Sequence, residues 1–192
     1  MRFRSAVLAT VTSAALVTSI AVGATGAAAL PSRTVTPKRW VHSVCTSISD
    51  WQTTIQQGQN LASSIQGATD LSQVKTQVVD YLQSTVDATD QLVTNISKAG
   101  TPNLKSGSKI AKDFKNGFNQ IRDVFGTARD NTQSLDTTDP AQFGTALQNI
   151  GTAIDDGANG IKSTFNAIDT KYHPAALDRA FKSDPACTSL NG

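Results

Sequence analysis

Four segments of this chain repeat apolar or small residues at alternating steps of four and three. That spacing is the strongest constraint on what the chain can fold into. In the first segment Val44, Ile48, Trp51, Ile55, Gly58, Ala62 and Ile65 fall on one face of a helix. Leu71, Val74, Val78, Leu82, Thr85, Ala88, Leu92, Ile96 and Ala99 continue the rhythm in the second. The third stripe is Gly107, Ile110, Phe114, Phe118, Ile121, Phe125, Ala128, Thr132 and Leu135, and the fourth is Phe143, Leu147, Ile150, Ile154, Gly157, Ile161, Phe165 and Ile168. A mean step near 3.5 residues belongs to left-handed supercoiled helix packing.

The breaks between stripes carry helix punctuation. Asp70, three residues before Gln73, resembles a capping box. Gly100 ends the second helix, and Pro102 cannot continue it. Thr101-Pro102 then reads as N-cap and first helical position of the third helix. Asp139-Pro140 repeats that device at the fourth, which should end near Tyr172, just before Pro174. A short fifth helix over residues 175–182 presents Leu177 and Phe181. Each long helix spans about 35–48 Å, and short connections favour antiparallel neighbours. The expected fold is all-α: an up-down-up-down antiparallel four-helix bundle with a short C-terminal fifth helix.

Residues 1–29 read as a secretory signal peptide. Arg2 and Arg4 form a positive start, residues 6–22 carry no charge, and Ala27-Ala28-Ala29 fits a signal-peptidase site with cleavage between Ala29 and Leu30. An uncleaved anchor is the rival, since the apolar stretch is just long enough to span. No later run is. Residues 30–43, with Pro31 and Pro37 and little apolar content, read as a flexible leader, and residues 44–192 as the bundle domain.

The net charge of +2 comes from 17 Lys+Arg against 15 acids, all of them Asp. Removing Arg2 and Arg4 leaves 15 against 15. A neutral mature chain argues against nucleic acid as a partner, because phosphate neutralisation needs a basic face. It also argues against attachment to anionic lipid by charge alone.

Two cysteines in an exported chain favour a disulfide. Three reversals return the end of the fourth helix to the end where the first begins. Cys45 and Cys187 should therefore meet there. Free or metal-binding thiols are the alternative, but no further Cys or His lies at ligand spacing. Eight glycines inside the predicted helices, among them Gly126 and Gly151, each cost up to ~1 kcal/mol relative to Ala. A staple would offset part of that. On the stripes, Gly58, Gly107 and Gly157 permit close helix approach or leave a cavity.

Catalytic chemistry finds little footing. His42 and His173 should both sit near the disulfide end, but a metal or catalytic pair there has no third partner at recognisable spacing. Solvent-exposed histidines are the simpler expectation. Asp155-Asp156-Gly157-Ala158-Asn159-Gly160 only superficially resembles a calcium loop: its third position is Gly157 and its twelfth Asn166, where oxygens of the loop pattern belong. Continuous helix is expected. Gly157-x-x-Gly160-x-Lys162-Ser163 has the wrong spacing for a phosphate loop. Lys105, Lys109, Lys112 and Lys115 form a basic face opposite the Phe114 stripe, where a solvated surface belongs; contact with an anionic envelope polymer is the functional alternative. Phe114, Phe118, Phe125, Phe143 and Phe165 should build the core, or else a pocket for an apolar ligand. Haem is disfavoured, since no stripe carries His or Met.

The chain resembles uncharacterised small secreted all-helical proteins of actinobacteria. The resembling features are Cys45 followed by Trp51, the Gly100-Thr101-Pro102 and Asp139-Pro140-Ala141 restarts, and Leu177, Ala180-Phe181 and Pro185-Ala186-Cys187 at the close. The resemblance implies export and a helical fold, and brings no activity, cofactor or binding residue with it.

The sequence thus leads to a non-enzymatic secreted bundle that acts as an envelope or extracellular interaction protein, with no metal and no cofactor. The alternative is a carrier of a lipid or other apolar ligand between the helices. A cavity beside Gly58, Gly107 or Gly157 would favour the carrier; a filled core with an exposed apolar patch would favour a protein partner.

Overall fold

The computed structural model describes residues 33–65, 67–172, 175–188 and 190, without the side chains of Gln59, Ala62, Ala158, Ile161 and Thr164. The chain divides into units Met1–Pro31 and Ser32–Gly192. The expected signal peptide, with its expected cleavage between Ala29 and Leu30, lies outside the described residues, as does His173.

The second unit is mostly helical. Its elements in order are β1 (Thr34–Val35), α1 (Pro37–Ser64), α2 (Leu71–Ala99), β2 (Thr101–Pro102), α3 (Gly107–Gln133), α4 (Pro140–Tyr172), α5 (Ala175–Ser183) and α6 (Pro185–Thr188). Asp70 caps α2 by accepting from the backbone of Ser72 and Gln73, and Asp139 does the same for Ala141 and Gln142 at α4. Helix α4 runs unbroken through Asp155 and Gly160.

Two boundaries differ from expectation. Helix α1 begins at Pro37, seven residues before Val44, because Thr36 caps it by accepting from Arg39 N–H and Trp40 and Val41 are fully buried. Burying an indole outweighs the leader-like composition around it. Thr101-Pro102 does not open α3. These residues pair with Thr34–Val35 in a two-stranded parallel sheet, and α3 starts only at Gly107. Thr101 N–H donates to Arg33 O at 2.9 Å and Asn103 N–H to Val35 O at 2.7 Å. Gly100, at φ +84°, makes this approach feasible, since a Cβ there would strike the Arg33 carbonyl.

Consecutive long helices pack on one another, and α1 also packs on α5 and α6. Between α1 and α2, Trp40 bonds Gly100, Trp51 bonds Thr89 and Tyr81 bonds Ile55. Residue numbers rise along one helix as they fall along the other. The same holds for α2 and α3, where Asp90 meets Arg122, Gln83 meets Arg129 and Lys75 meets Leu135. The Cys45–Cys187 disulfide closes the α1 start against α6, with Cα atoms 5.0 Å apart and a sequence separation of 142.

The core follows the stripes. Leu82, Leu92, Ile96, Ile110 and Leu177 are almost wholly buried. So are the stripe residues Thr85 and Thr132 and their neighbour Thr89. Each hydroxyl donates to the carbonyl four residues back, at 2.7–3.0 Å, which removes the cost of an unpaired buried donor.

Candidate functional site

Three of the four stripes converge on one side of the domain without closing it. Helix α1 presents Ile48, Trp51 and Ile55; α3 presents Phe118, Ile121, Val124 and Phe125; α4 presents Ile154 and Phe165. Together with Asp155 they line an apolar groove of about 430 Å³. Helix α1 is held by α2, α5 and α6, whereas α4 is held mainly by α3. The stripe residues Ile48, Trp51, Ile55, Ile154 and Phe165 are consequently only partly buried. These faces stay open because α1 and α4 do not pack on each other over α3 among the described residues.

The groove has rigid aromatic parts. Trp51 Nε1 donates to Thr89 Oγ1 at 2.9 Å, and the Thr89 hydroxyl in turn donates to Thr85 O. With its polar edge satisfied, the indole keeps one orientation. Its ring lies 6.2 Å from Phe118, edge-on. Phe118 meets Phe165 at 5.3 Å, Phe165 meets Phe114 at 5.2 Å, and Phe114 meets Trp40 at 5.3 Å and Phe181 at 6.3 Å. This run of rings links α1, α3, α4 and α5 toward the disulfide end.

The stripe glycines serve close approach. A Cβ at Gly58 would meet the Tyr81 ring, one at Gly107 the Pro102 carbonyl, and one at Gly157 the Val124 methyl groups at 2.7 Å. Gly157 therefore brings α4 against α3 beneath the groove, where Val124 and Ile154 form adjoining wall. Asp155 is the charged group among the described lining residues.

The disulfide end holds a second polar cluster. His42 Nδ1 lies 3.2 Å from both carboxylate oxygens of Asp184. The Asp184 side chain is 3% exposed and that of His42 62%, so the imidazole is solvent-facing yet paired. Asp184 also accepts from Ala186 N–H at 3.0 Å. Sequence reasoning placed His42 correctly at this end and missed Asp184, whose loop position between α5 and α6 carries no spacing signal. An Asp–His pair can orient an imidazole for base catalysis, but that needs a nucleophile on the other ring nitrogen. Among the described residues none is bonded there, and both thiols are in the disulfide. Among the described residues no three His, Cys, Asp or Glu side chains cluster as a metal site, and no helix is long and apolar enough to cross a membrane.

On the α3–α4 face, burial pushes the Asp113 carboxyl up, but bonds from the Tyr172 hydroxyl at 2.9 Å and Lys171 Nζ at 3.2 Å outweigh it and hold the group below its ordinary value. Lys171 is raised by its own side-chain bond with Tyr172 first, and by its bond to Asp113.

Neither family models, nor curated proteins, nor solved structures give a counterpart. Function therefore rests on the groove and the chemistry around it.

Proposed function

We propose that this protein is an exported carrier that holds a lipid or other apolar small molecule in the groove between α1, α3 and α4. The observation that carries this reading is the apolar volume of about 430 Å³, in which nine of the ten described lining residues are apolar or aromatic. Ligand clefts run to about 300–1,000 Å³ with this kind of lining. Apolar surface left facing water is unfavourable by ~25 cal/mol per Å², so an apolar occupant gains by covering it.

The helix pairings support an up-down-up-down arrangement that is left open along α1 and α4. The disulfide supports folding in an oxidising compartment, in line with a signal peptide over residues 1–29. Both speak for an envelope or extracellular location. The balanced charge of the mature chain speaks for neither nucleic acid nor anionic lipid as partner. An interaction protein whose partner lays a helix into the same groove is the competing reading. The fixed Trp51 ring and the run of rings from Trp51 through Phe118 to Phe165 favour a small molecule.

Asp155 narrows the ligand class. A carboxylate at the groove repels a fatty-acid head and suits a neutral or basic one.

Titration with the neutral fluorophore N-phenyl-1-naphthylamine tests the reading. Saturable enhancement at one site per chain is expected. Ile154→Trp, which fills the groove, should weaken it about tenfold or more. Asp155→Asn should leave the neutral probe unchanged and strengthen oleate competition about two- to fivefold. A probe that does not bind, or binds Ile154→Trp equally well, overturns the carrier.

A further inference from the structure

A second cleft, remote in chemistry from the apolar groove, lies where α2 ends and α3 begins. It has a volume of about 320 Å³, and its lining includes Arg33, Lys98, Lys112, Lys115, Thr101 and Ser108 but no acidic residue. The four basic side chains come from three separate parts of the chain. Lys112 and Lys115 lie on α3, Lys98 in the last turn of α2, and Arg33 just before β1. Among the described residues none of the four is in an ion pair with a carboxylate. Asp113, beside Lys112 in sequence, is instead bonded to Tyr172 and Lys171 of α4.

The cleft is built rather than incidental. Its Arg33 side is fixed by the bond from Thr101 N–H to Arg33 O and by the tight passage at Gly100, where a Cβ would strike that carbonyl. Helix α3 adds its positive end. Ser106, its N-cap, makes no side-chain cap bond, whereas Thr36, Asp70 and Asp139 cap α1, α2 and α4. Gly107 N–H donates to Leu104 O, and Ser108 of the same turn lines the cleft, where the positive end of a helix favours an anion. Four unpaired cations in one cleft of a balanced chain repel one another, and a polyvalent anion removes that repulsion.

We propose that this cleft binds a phosphate-bearing ligand through Arg33, Lys98, Lys112 and Lys115. Lys105 and Lys109, which the sequence groups with Lys112 and Lys115, are absent from the lining and serve as internal controls. Bidentate Arg and point-charge Lys contacts suit two or more phosphate charges.

The test is calorimetric titration of the mature full-length protein with inorganic pyrophosphate at low and physiological salt. One saturable site is expected. Lys112→Gln with Lys115→Gln should weaken it about tenfold or more. Lys105→Gln with Lys109→Gln removes the same charge outside the cleft and should change it less than about twofold. Equal weakening by both pairs would reduce the effect to diffuse charge and overturn the site, as would absence of saturable pyrophosphate binding. Flotation with phosphatidylglycerol-containing vesicles separates the ligand sources. Vesicle binding abolished by the Lys112/Lys115 pair assigns a lipid headgroup, while pyrophosphate binding without vesicle binding assigns free phosphate. Both support the site. The apolar probe is unaffected by these variants, so failure here is distinguishable from failure of the carrier reading.

Discussion

The indole nitrogen of Trp40 donates to the carbonyl of Gly100 at 3.1 Å, so the first turn of α1 is tied to the residue that ends α2. Trp40 is fully buried, and its ring stands edge-on to Phe114. Trp40→Phe keeps most of the apolar volume and leaves the carbonyl unpaired; it should cost about 1–3 kcal/mol. Trp40→Ala adds a cavity and should cost about 3–5 kcal/mol. Urea unfolding of both variants separates the bond from the packing.

The glycines divide into two groups with opposite expected signs. At Gly126, Gly144 and Gly151 a Cβ would meet nothing within 4 Å. Alanine there should stabilise by up to ~1 kcal/mol each, through helix propensity alone. At Gly100, with positive φ and the Arg33 carbonyl in the way, alanine should destabilise by about 1–3 kcal/mol. Melting temperatures of single variants would move by about 2–4 °C per kcal/mol, upward for the first group and downward for Gly100→Ala.

How far these features were legible in the sequence depends on the interaction that sets them. The stripes located the buried faces of α2 and α3, because a seam buried against neighbours on both sides must be apolar at helical spacing. Asp70 and Asp139 were legible as caps because their partners are two and three residues away. Trp40 was assigned to the leader, although Trp40, Val44 and Ile48 are spaced 4-4 and extend the α1 stripe; Pro31 and Pro37 just before it masked the signal. The β1–β2 pairing joins residues more than sixty positions apart, and two-residue strands leave no periodicity. The groove was the least legible. A stripe marks Ile48, Trp51, Ile154 and Phe165 as facing inward, but not whether α1 and α4 close on each other. The basic cleft was half visible: Lys112 and Lys115 stood out as a cluster, whereas Arg33 and Lys98 join them only through the fold.

Reduction should loosen the domain without abolishing its helices. The Cys45–Cys187 bond spans 142 residues, and a loop of that size corresponds to about 4–5 kcal/mol in the chain-entropy view. Cys45→Ala with Cys187→Ala should lower the urea midpoint correspondingly. Far-UV circular dichroism at low temperature should change little, because the α2–α3 core does not depend on the bond.

Acid should destabilise the fold through carboxylates held below their ordinary value. For Asp113, burial raises the group and the Tyr172 and Lys171 bonds more than offset that. For Asp136 the Thr138 N–H, with the Thr138 hydroxyl, lowers it, and for Asp139 the Gln142 N–H and side chain do so. With folded values below the ordinary 3.8, these groups contribute stability above that pH. The contribution is lost as pH falls through the folded values. Wild type and Asp113→Asn should therefore differ in stability near neutral pH and converge as the pH falls through the lowered folded value of Asp113, as read by urea midpoints across an acid series.

The carrier reading is tested most directly by native mass spectrometry of the protein as produced by its own host. An adduct of a few hundred daltons that dissociates on unfolding, and that is missing from Ile154→Trp, is the expected result. A bare polypeptide under gentle ionisation, with wild type and Ile154→Trp identical, would contradict it.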